Sequence, residues 1–140
     1  MPDEVPAHEQ RVTRRYTLRY PAHDPRESDP HYRAFEAYRK ATVATAKCHI
    51  AEATGTDRYC KGPLELHHRI LEFAMINGVD FDLLAKDFPS IKNPDDIAAW
   101  AESPENLRYY CEFHHRGDGG IHVASSSDFE AQFYILGLIE

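Results

Sequence analysis

An α+β fold is expected for this 140-residue chain on three observations. Leu64 to Ile70 alternates as a half-buried strand does: Leu64, Leu66, His68 and Ile70 fall on one face, and Glu65, His67 and Arg69 on the other. Leu107 to Cys111 is a short apolar-aromatic run that leads into Cys111-Glu112-Phe113-His114-His115. Around these segments lie helix-start signals at Asp29-Pro30, Asn93-Pro94 and Ser127.

Residues 1–28 read as an N-terminal arm and residues 29–140 as a single domain. The first ten residues are polar with two prolines, the pattern of a disordered arm. Arg11 to Tyr20 alternates and predicts an edge strand, its Arg15 and Arg19 face serving either as anti-aggregation charge or as a nucleic-acid contact. Pro21 to Pro30 reads as a linker-like turn region. A helix is expected from Asp29 as N-cap to about Ala46, burying Phe35, one of Tyr32 and Tyr38, Thr42, Val43 and Ala46. Cys48 to Cys60 reads as a loop, closed by Lys61-Gly62-Pro63 before the 64–70 strand.

Beyond that strand, residues 71–103 predict an acidic helical insert. Leu71 to Asn77 is capped by Gly78, Asp80 to Phe88 is a second helix, and Asn93-Pro94 opens a third through Ala101. A glycine-rich turn, Arg116 to His122, precedes a final helix opened by a capping box at Ser127 and Glu130. Its apolar stripe is Phe129, Phe133, Leu136 and Ile139.

Composition narrows the function. The net charge of −7 is not the footprint of a strong nonspecific nucleic-acid binder. Charge is uneven, however: residues 1–40 hold eight Lys/Arg against seven Asp/Glu, and residues 80–105 hold two against seven. Phosphate contact would fall to local clusters such as Arg11, Arg14, Arg15, Arg19, Arg69, Arg108 and Arg116. Three cysteines argue against a pure disulfide framework. The opening residues carry no signal-peptide pattern, and no apolar run approaches the ~20 residues that span a bilayer. A soluble, cytoplasmic protein is expected (in a host cytoplasm if phage-encoded), with no membrane partner.

Among nine histidines, five stand in or beside the two central segments: His67, His68, His114, His115 and His122. Adjacent imidazoles on a strand face opposite ways, so one can bind an ion while its neighbour stays free to accept a proton. Alone, such a pair is more often a buried, hydrogen-bonded core feature. Cys48, Cys60, Cys111 and His114 read together as a tetrahedral structural zinc set; otherwise they are buried free thiols beside an unmetallated turn.

In order, His67-His68, Asn106-Leu107 and Cys111-x-x-His114-His115 resemble the HNH endonuclease family over residues 48–122. The resemblance implies a ββα-metal (HNH, or His-Me finger) core with additional helices, a helical insert between the motif strands and a C-terminal helix. It implies hydrolysis of DNA phosphodiesters to 5′ phosphate and 3′ hydroxyl ends. In that reading His68 is the general base, and a backbone carbonyl on its other ring nitrogen would fix its tautomer. His67 and His115 bind one catalytic divalent cation (Mg, Mn, Ni or Zn), and Asn106 braces the loop between the strands.

Many family members carry a zinc knuckle where this chain has its cysteines. Two departures stand out: eleven residues separate Cys48 from Cys60, and His114 replaces a cysteine. His122 is a further ligand, a phosphate contact or a plain loop residue. Arg69 and Arg116 are either phosphate clamps or surface ion-pair partners. An all-imidazole centre favours transition metals over Mg²⁺. Two other readings stand beside the nuclease: a zinc-stabilised nucleic-acid- or protein-binding module that does not cut, and a structural partner in a larger complex. Oligomeric state is left open.

Overall fold

The computed structural model describes residues 3–140; Met1 and Pro2, within the arm expected to be disordered, lie outside them. The described chain mixes α and β structure. Its one sheet has two antiparallel strands, β1 (Leu64–His68) and β2 (Leu107–Cys111), surrounded by short helices. In register, Leu64 faces Cys111, Glu65 faces Tyr110, Leu66 faces Tyr109, His67 faces Arg108, and His68 faces Leu107. The pleat therefore divides β1 with Glu65 and His67 opposite Leu64, Leu66 and His68, but the strand ends at His68, short of the expected Ile70, which is 44% exposed.

Six helices accompany the sheet: α1 (Tyr32–Thr42), α2 (His49–Thr54), α3 (Phe81–Leu84), α4 (Pro94–Ala101), α5 (Glu112–His115) and α6 (Ser126–Ala131). Helix α5 leaves β2 without a linker. Its start is tied to the segment before β1 by two bonds, Glu112 N–H to the Pro63 carbonyl at 2.9 Å and Phe113 N–H to the Lys61 carbonyl at 3.0 Å. Strand, strand and helix thus form one hydrogen-bonded unit.

Two small cores flank this unit. Ile50, Tyr110, Phe113 and Phe129 pack with Cys48 and Cys111 on one side. Ile91, Ile97, Trp100 and Ala101 form the other within the insert, against Leu71, Ile76 and Phe88. The insert thus carries its own core, as its position outside the central motif requires. Asp80 caps α3 by accepting from Asp82 and Leu83 N–H, and Asn93 caps α4 by accepting from Asp96 N–H.

Several expectations need correction. Arg11 to Tyr20 is not a strand: it finds no partner to complete a ladder and runs exposed. Pro21 to Pro30 is more than linker, since Arg26–Ser28 forms a 3₁₀ turn. Helix α1 is shorter than expected. Asp29 accepts from His31 N–H at 2.8 Å, which makes a turn ahead of the helix, and Val43 past its end is 39% exposed. Between Cys48 and Cys60 lies helix α2 rather than loop alone, ended by Gly55 at φ 76°.

The insert's first helix is a 3₁₀ segment, Phe73–Gly78, that includes the glycine expected to cap it. Asp80 opens a helix of only four residues, so the expected run to Phe88 is a single turn. Ser125, not Ser127, caps α6 by accepting from Asp128 N–H, and the helix stops at Ala131. Phe129 is buried and Phe133 and Ile139 pack against the first core, but Leu136 is 56% exposed.

Asn106 joins the sheet to the insert. It is fully buried; its Oδ1 accepts from Ile70 N–H at 2.9 Å, and its Nδ2 donates to the carbonyls of Leu71 at 2.9 Å and Ala101 at 3.0 Å. Its own carbonyl accepts from Arg69 N–H at 2.6 Å. The chain leaving β1 is thereby fixed to both the end of α4 and the start of β2. Replacing Asn106 by Ala keeps the Arg69 bond to the main-chain carbonyl but orphans Ile70 N–H and the Leu71 and Ala101 carbonyls, and each such loss costs about 1–3 kcal/mol. Chemical denaturation of N106A should show a loss of order 3 kcal/mol; an unchanged midpoint would contradict the brace.

Candidate functional site

Two clusters of side chains that could hold a metal ion lie beside the sheet. The first comprises Cys48, Cys60, Cys111 and His114, whose ligand atoms all lie within 4.8 Å of one another. Cys48 sits at the N-cap of α2, Cys60 after its loop, and Cys111 and His114 at the β2–α5 junction. His114 Nδ1 is 3.1 Å from Cys111 Sγ, 3.7 Å from Cys48 Sγ and 3.8 Å from Cys60 Sγ. Tetrahedral zinc with ordinary Zn–S and Zn–N bonds places such atoms about 3.5 Å apart.

The donor set fits a metal ion such as zinc: three thiols and an imidazole, with Cys48, Cys111 and His114 buried and no disulfide among them. Proximity of the Cys48 and Cys111 sulfurs holds the Cys111 thiol well below its ordinary pKa, as its thiolate, and pushes the Cys48 thiol above its own. Burial pushes the Cys60 thiol up to about 11. Thiols crowded together in this way are held apart from their ordinary charge states, and a bound cation would reconcile them.

The second cluster is formed by His67, His115 and His122. His67 Nδ1 and His122 Nε2 each lie 3.1 Å from His115 Nε2. Three imidazoles on one ion with bonds of 2.0–2.1 Å would hold their nitrogens about 3.0–3.4 Å apart, so the donors fit a single cation. Glu65 Oε1 accepts from His115 Nδ1–H at 2.9 Å, which leaves the Nε2 lone pair aimed into the cluster. Glu72 Oε1 lies 3.6 Å from Nδ1 of His122 in a similar outer position.

His67 is buried and His122 exposed, so the cluster opens to solvent on one side. Burial, followed by the neighbouring His122 and His115, pushes His67 down to about 3, so its imidazole is neutral as a ligand must be. Burial likewise lowers His122.

The glycine turn brings His122 into this set. Gly120 N–H bonds to the Gly117 carbonyl, and His122 N–H returns to the His115 carbonyl at 3.2 Å. A Cβ on Gly120 would collide with that His115 carbonyl, so the close return needs glycine. His122, for which the sequence leaves a further ligand, a phosphate contact and a plain loop residue open, stands with His67 and His115 in a set that could hold a metal ion.

His68 lies across the pleat. Its ring stacks on Phe35 at 5.4 Å and 16°, and its Nε2 is 3.0 Å from Glu102 Oε1. No backbone carbonyl holds that nitrogen; a buried carboxylate does. Glu102 also accepts from Arg26, Nε to Oε1 at 3.2 Å and Nη2 to Oε2 at 2.9 Å. Burial alone would raise the Glu102 carboxyl, but the hydrogen bonds from His68 and Arg26 outweigh it and hold the group below its ordinary range.

Arg69 and Arg116 are exposed, and neither forms an ion pair among the described residues. Arg69, Arg108 and Arg14 line a cleft of about 550 Å³ with Tyr16 and Tyr110. Tyr110 is also a wall of the histidine cluster, its ring 5.8 Å from His67. The cleft and the cluster share the Glu65–His67 face of the sheet.

Sequence reasoning missed Glu65, Glu72, Glu102 and Arg26. Glu65 was within reach, because it is two residues before His67 on one strand face. The other three come from outside the strand and carry no local signal. Among the described residues, no helix is long and apolar enough to cross a membrane. Comparisons with protein families, with curated proteins and with solved structures find no match to this chain.

The two clusters should load independently. In mass spectrometry of dialysed protein, Cys111→Ser should lose one equivalent of zinc, whereas His122→Ala should keep that zinc and lose only a second, transition-metal equivalent. Loss of both ions from H122A would contradict two separate centres. The depressed His67 gives metal-free protein a pH signature as well. Its folded value of about 3 lies below the ordinary 6.5, so its contribution to stability is full above pH 6.5 and fades as pH falls toward 3. Denaturation of chelated H67Q should therefore fall off less steeply than wild type across that window; parallel curves would refute the assignment.

Proposed function

We propose that this chain is a metal-dependent endonuclease of the HNH type, with a ββα-metal core made by β1, β2 and α5. It hydrolyses DNA phosphodiesters to 5′ phosphate and 3′ hydroxyl ends. The observation that carries the reading is the division of an adjacent histidine pair across β1. His67 joins a three-imidazole ligand set on one face, while His68 stands on the other with a carboxylate behind it. A site built only for stability needs no base beside a ligand.

His67, His115 and His122 would hold the divalent cation, which as a Lewis acid would stabilise charge on the phosphate and the departing 3′ oxygen. His68 takes the proton of the attacking water. Its unshared nitrogen is Nδ1, since Nε2 is engaged with Glu102. Asn106 holds the end of β1 in place, so that His67 and His68 keep their mutual geometry. Arg69 and Arg108 offer cationic contacts for flanking phosphates, with Arg116 near the histidines. These few arginines answer the acidic net charge: attraction is local, and affinity should be modest and salt-sensitive.

A second reading has its own support. His68 is stacked on Phe35 and hydrogen-bonded to Glu102 rather than free, and the chain is acidic, as suits a zinc-stabilised binding module that does not cut. Nicking of supercoiled plasmid separates the two. Wild type should relax the plasmid with Mn²⁺, Ni²⁺ or Zn²⁺ better than with Mg²⁺, and chelator should abolish it. His68→Ala should lower the rate roughly 10²-fold or more while keeping fold and metal content. No nicking with any ion, or full activity in the variant, would overturn the nuclease reading; equal or better activity with Mg²⁺ would count against an all-imidazole centre.

A further inference from the structure

Glu102 stands at the end of α4 in the insert, its side chain 0% exposed, and it is the only buried carboxylate among the described residues. Both of its oxygens are occupied by groups from distant parts of the chain. Arg26 arrives from the 3₁₀ turn ahead of α1 and donates twice. His68 arrives from the end of β1. The Arg26 guanidinium also lies 3.9 Å over the Phe35 ring, and His68 stacks on that same ring. Guanidinium, carboxylate and imidazole are thus packed together on one aromatic side chain.

The contacts decide the tautomer of His68. Its Nε2 lies 3.0 Å from Glu102 Oε1 and 3.4 Å from Arg26 Nη2. A guanidinium can only donate and an ionised carboxylate can only accept, so Nε2 can satisfy one of them. The shorter contact is to the carboxylate. A lone pair aimed at an ionised oxygen at that distance would be repulsive. Nε2 therefore carries the hydrogen, and the lone pair is on Nδ1, which has no hydrogen-bond partner among the described residues.

Resting on the nuclease reading, we infer that Glu102, clamped by Arg26, is the positioning residue for His68, fixing its ring with Nε2–H on the carboxylate and Nδ1 as the proton-accepting atom. As water oxygen bonds to phosphorus and the 3′ oxygen departs with its electron pair, the water proton passes to Nδ1. The resulting imidazolium keeps its Nε2–H on Glu102, and the carboxylate stays ionised. The role falls to a side chain of the insert, so the insert completes the site rather than merely covering it. Arg26 extends the site to the segment before α1.

The test joins a spectroscopic readout to kinetics. In ¹H–¹⁵N spectra of the metal-loaded protein, His68 should show a downfield Nε2–H proton slow to exchange, identified by its absence in His68→Gln. A freely exchanging Nε2–H, or a hydrogen on Nδ1, would overturn the inference whether or not the protein cuts DNA. Glu102→Gln keeps the volume but removes the charge. It should move that proton upfield and lower kcat at least ~10-fold, with KM within about twofold.

Arg26→Met/Glu102→Leu removes both charges together and so leaves neither buried without a partner. It should lose the resonance, keep its metal and fall roughly 10²-fold in kcat. Wild-type kcat in a folded, metal-loaded variant that has lost the resonance would refute a positioning role. If wild type cuts nothing, the nuclease reading fails, and the resonance still decides whether Glu102 holds His68.

Discussion

In the β1–β2 pairing, Leu64 lies opposite Cys111 and His68 opposite Leu107, and both candidate metal-binding clusters take their positions from that register. Glu65 and His67 share the face toward which α5 returns His115, while Cys111 at the far end of β2 opens the turn that carries His114. A slip by one residue would send His67 to the Phe35 side and His68 into the cluster. Asn106 guards against this. Its amide bonds to the backbone on both sides of the gap between insert and sheet, where no third strand exists among the described residues to do so.

A two-stranded sheet with a pair of small cores has little apolar surface to hold it together. The Cys48–Cys60–Cys111–His114 set lies inside the larger core and ties α2, the loop after it and the β2–α5 junction to one point. An ion there would contribute to folding directly. The histidine set differs in kind. It opens to solvent at His122, borders an arginine-lined cleft and has carboxylates behind its imidazoles. One cluster is built for closure, the other for access.

Much of this was legible in the sequence where the signal is local. The alternation in Leu64 to His68, the helix start at Asn93 and the Cys111-x-x-His114 spacing each depend on neighbours a few residues away. Arg11 to Tyr20 shows the limit of that logic, since its alternation is real but strand structure needs a partner that the fold does not supply. Ser125 and Ser127 are chemically equivalent as caps, and it is Ser125 that accepts from Asp128 N–H. The bond between Glu102 and His68 spans 34 residues, and those between Arg26 and Glu102 span 76, so no local pattern announces them.

X-ray absorption at the edges of two different metals tests the central claim most directly: that the sheet separates a sulfur-rich centre from an imidazole-only one. Protein loaded with zinc and then with one equivalent of Ni²⁺ or Mn²⁺ should show a zinc shell of three sulfurs and one nitrogen. The second metal should show three imidazole nitrogens completed by light oxygen scatterers, without sulfur. Sulfur in the second metal's shell, or failure of the histidine set to bind any ion beside a filled zinc site, would contradict the account.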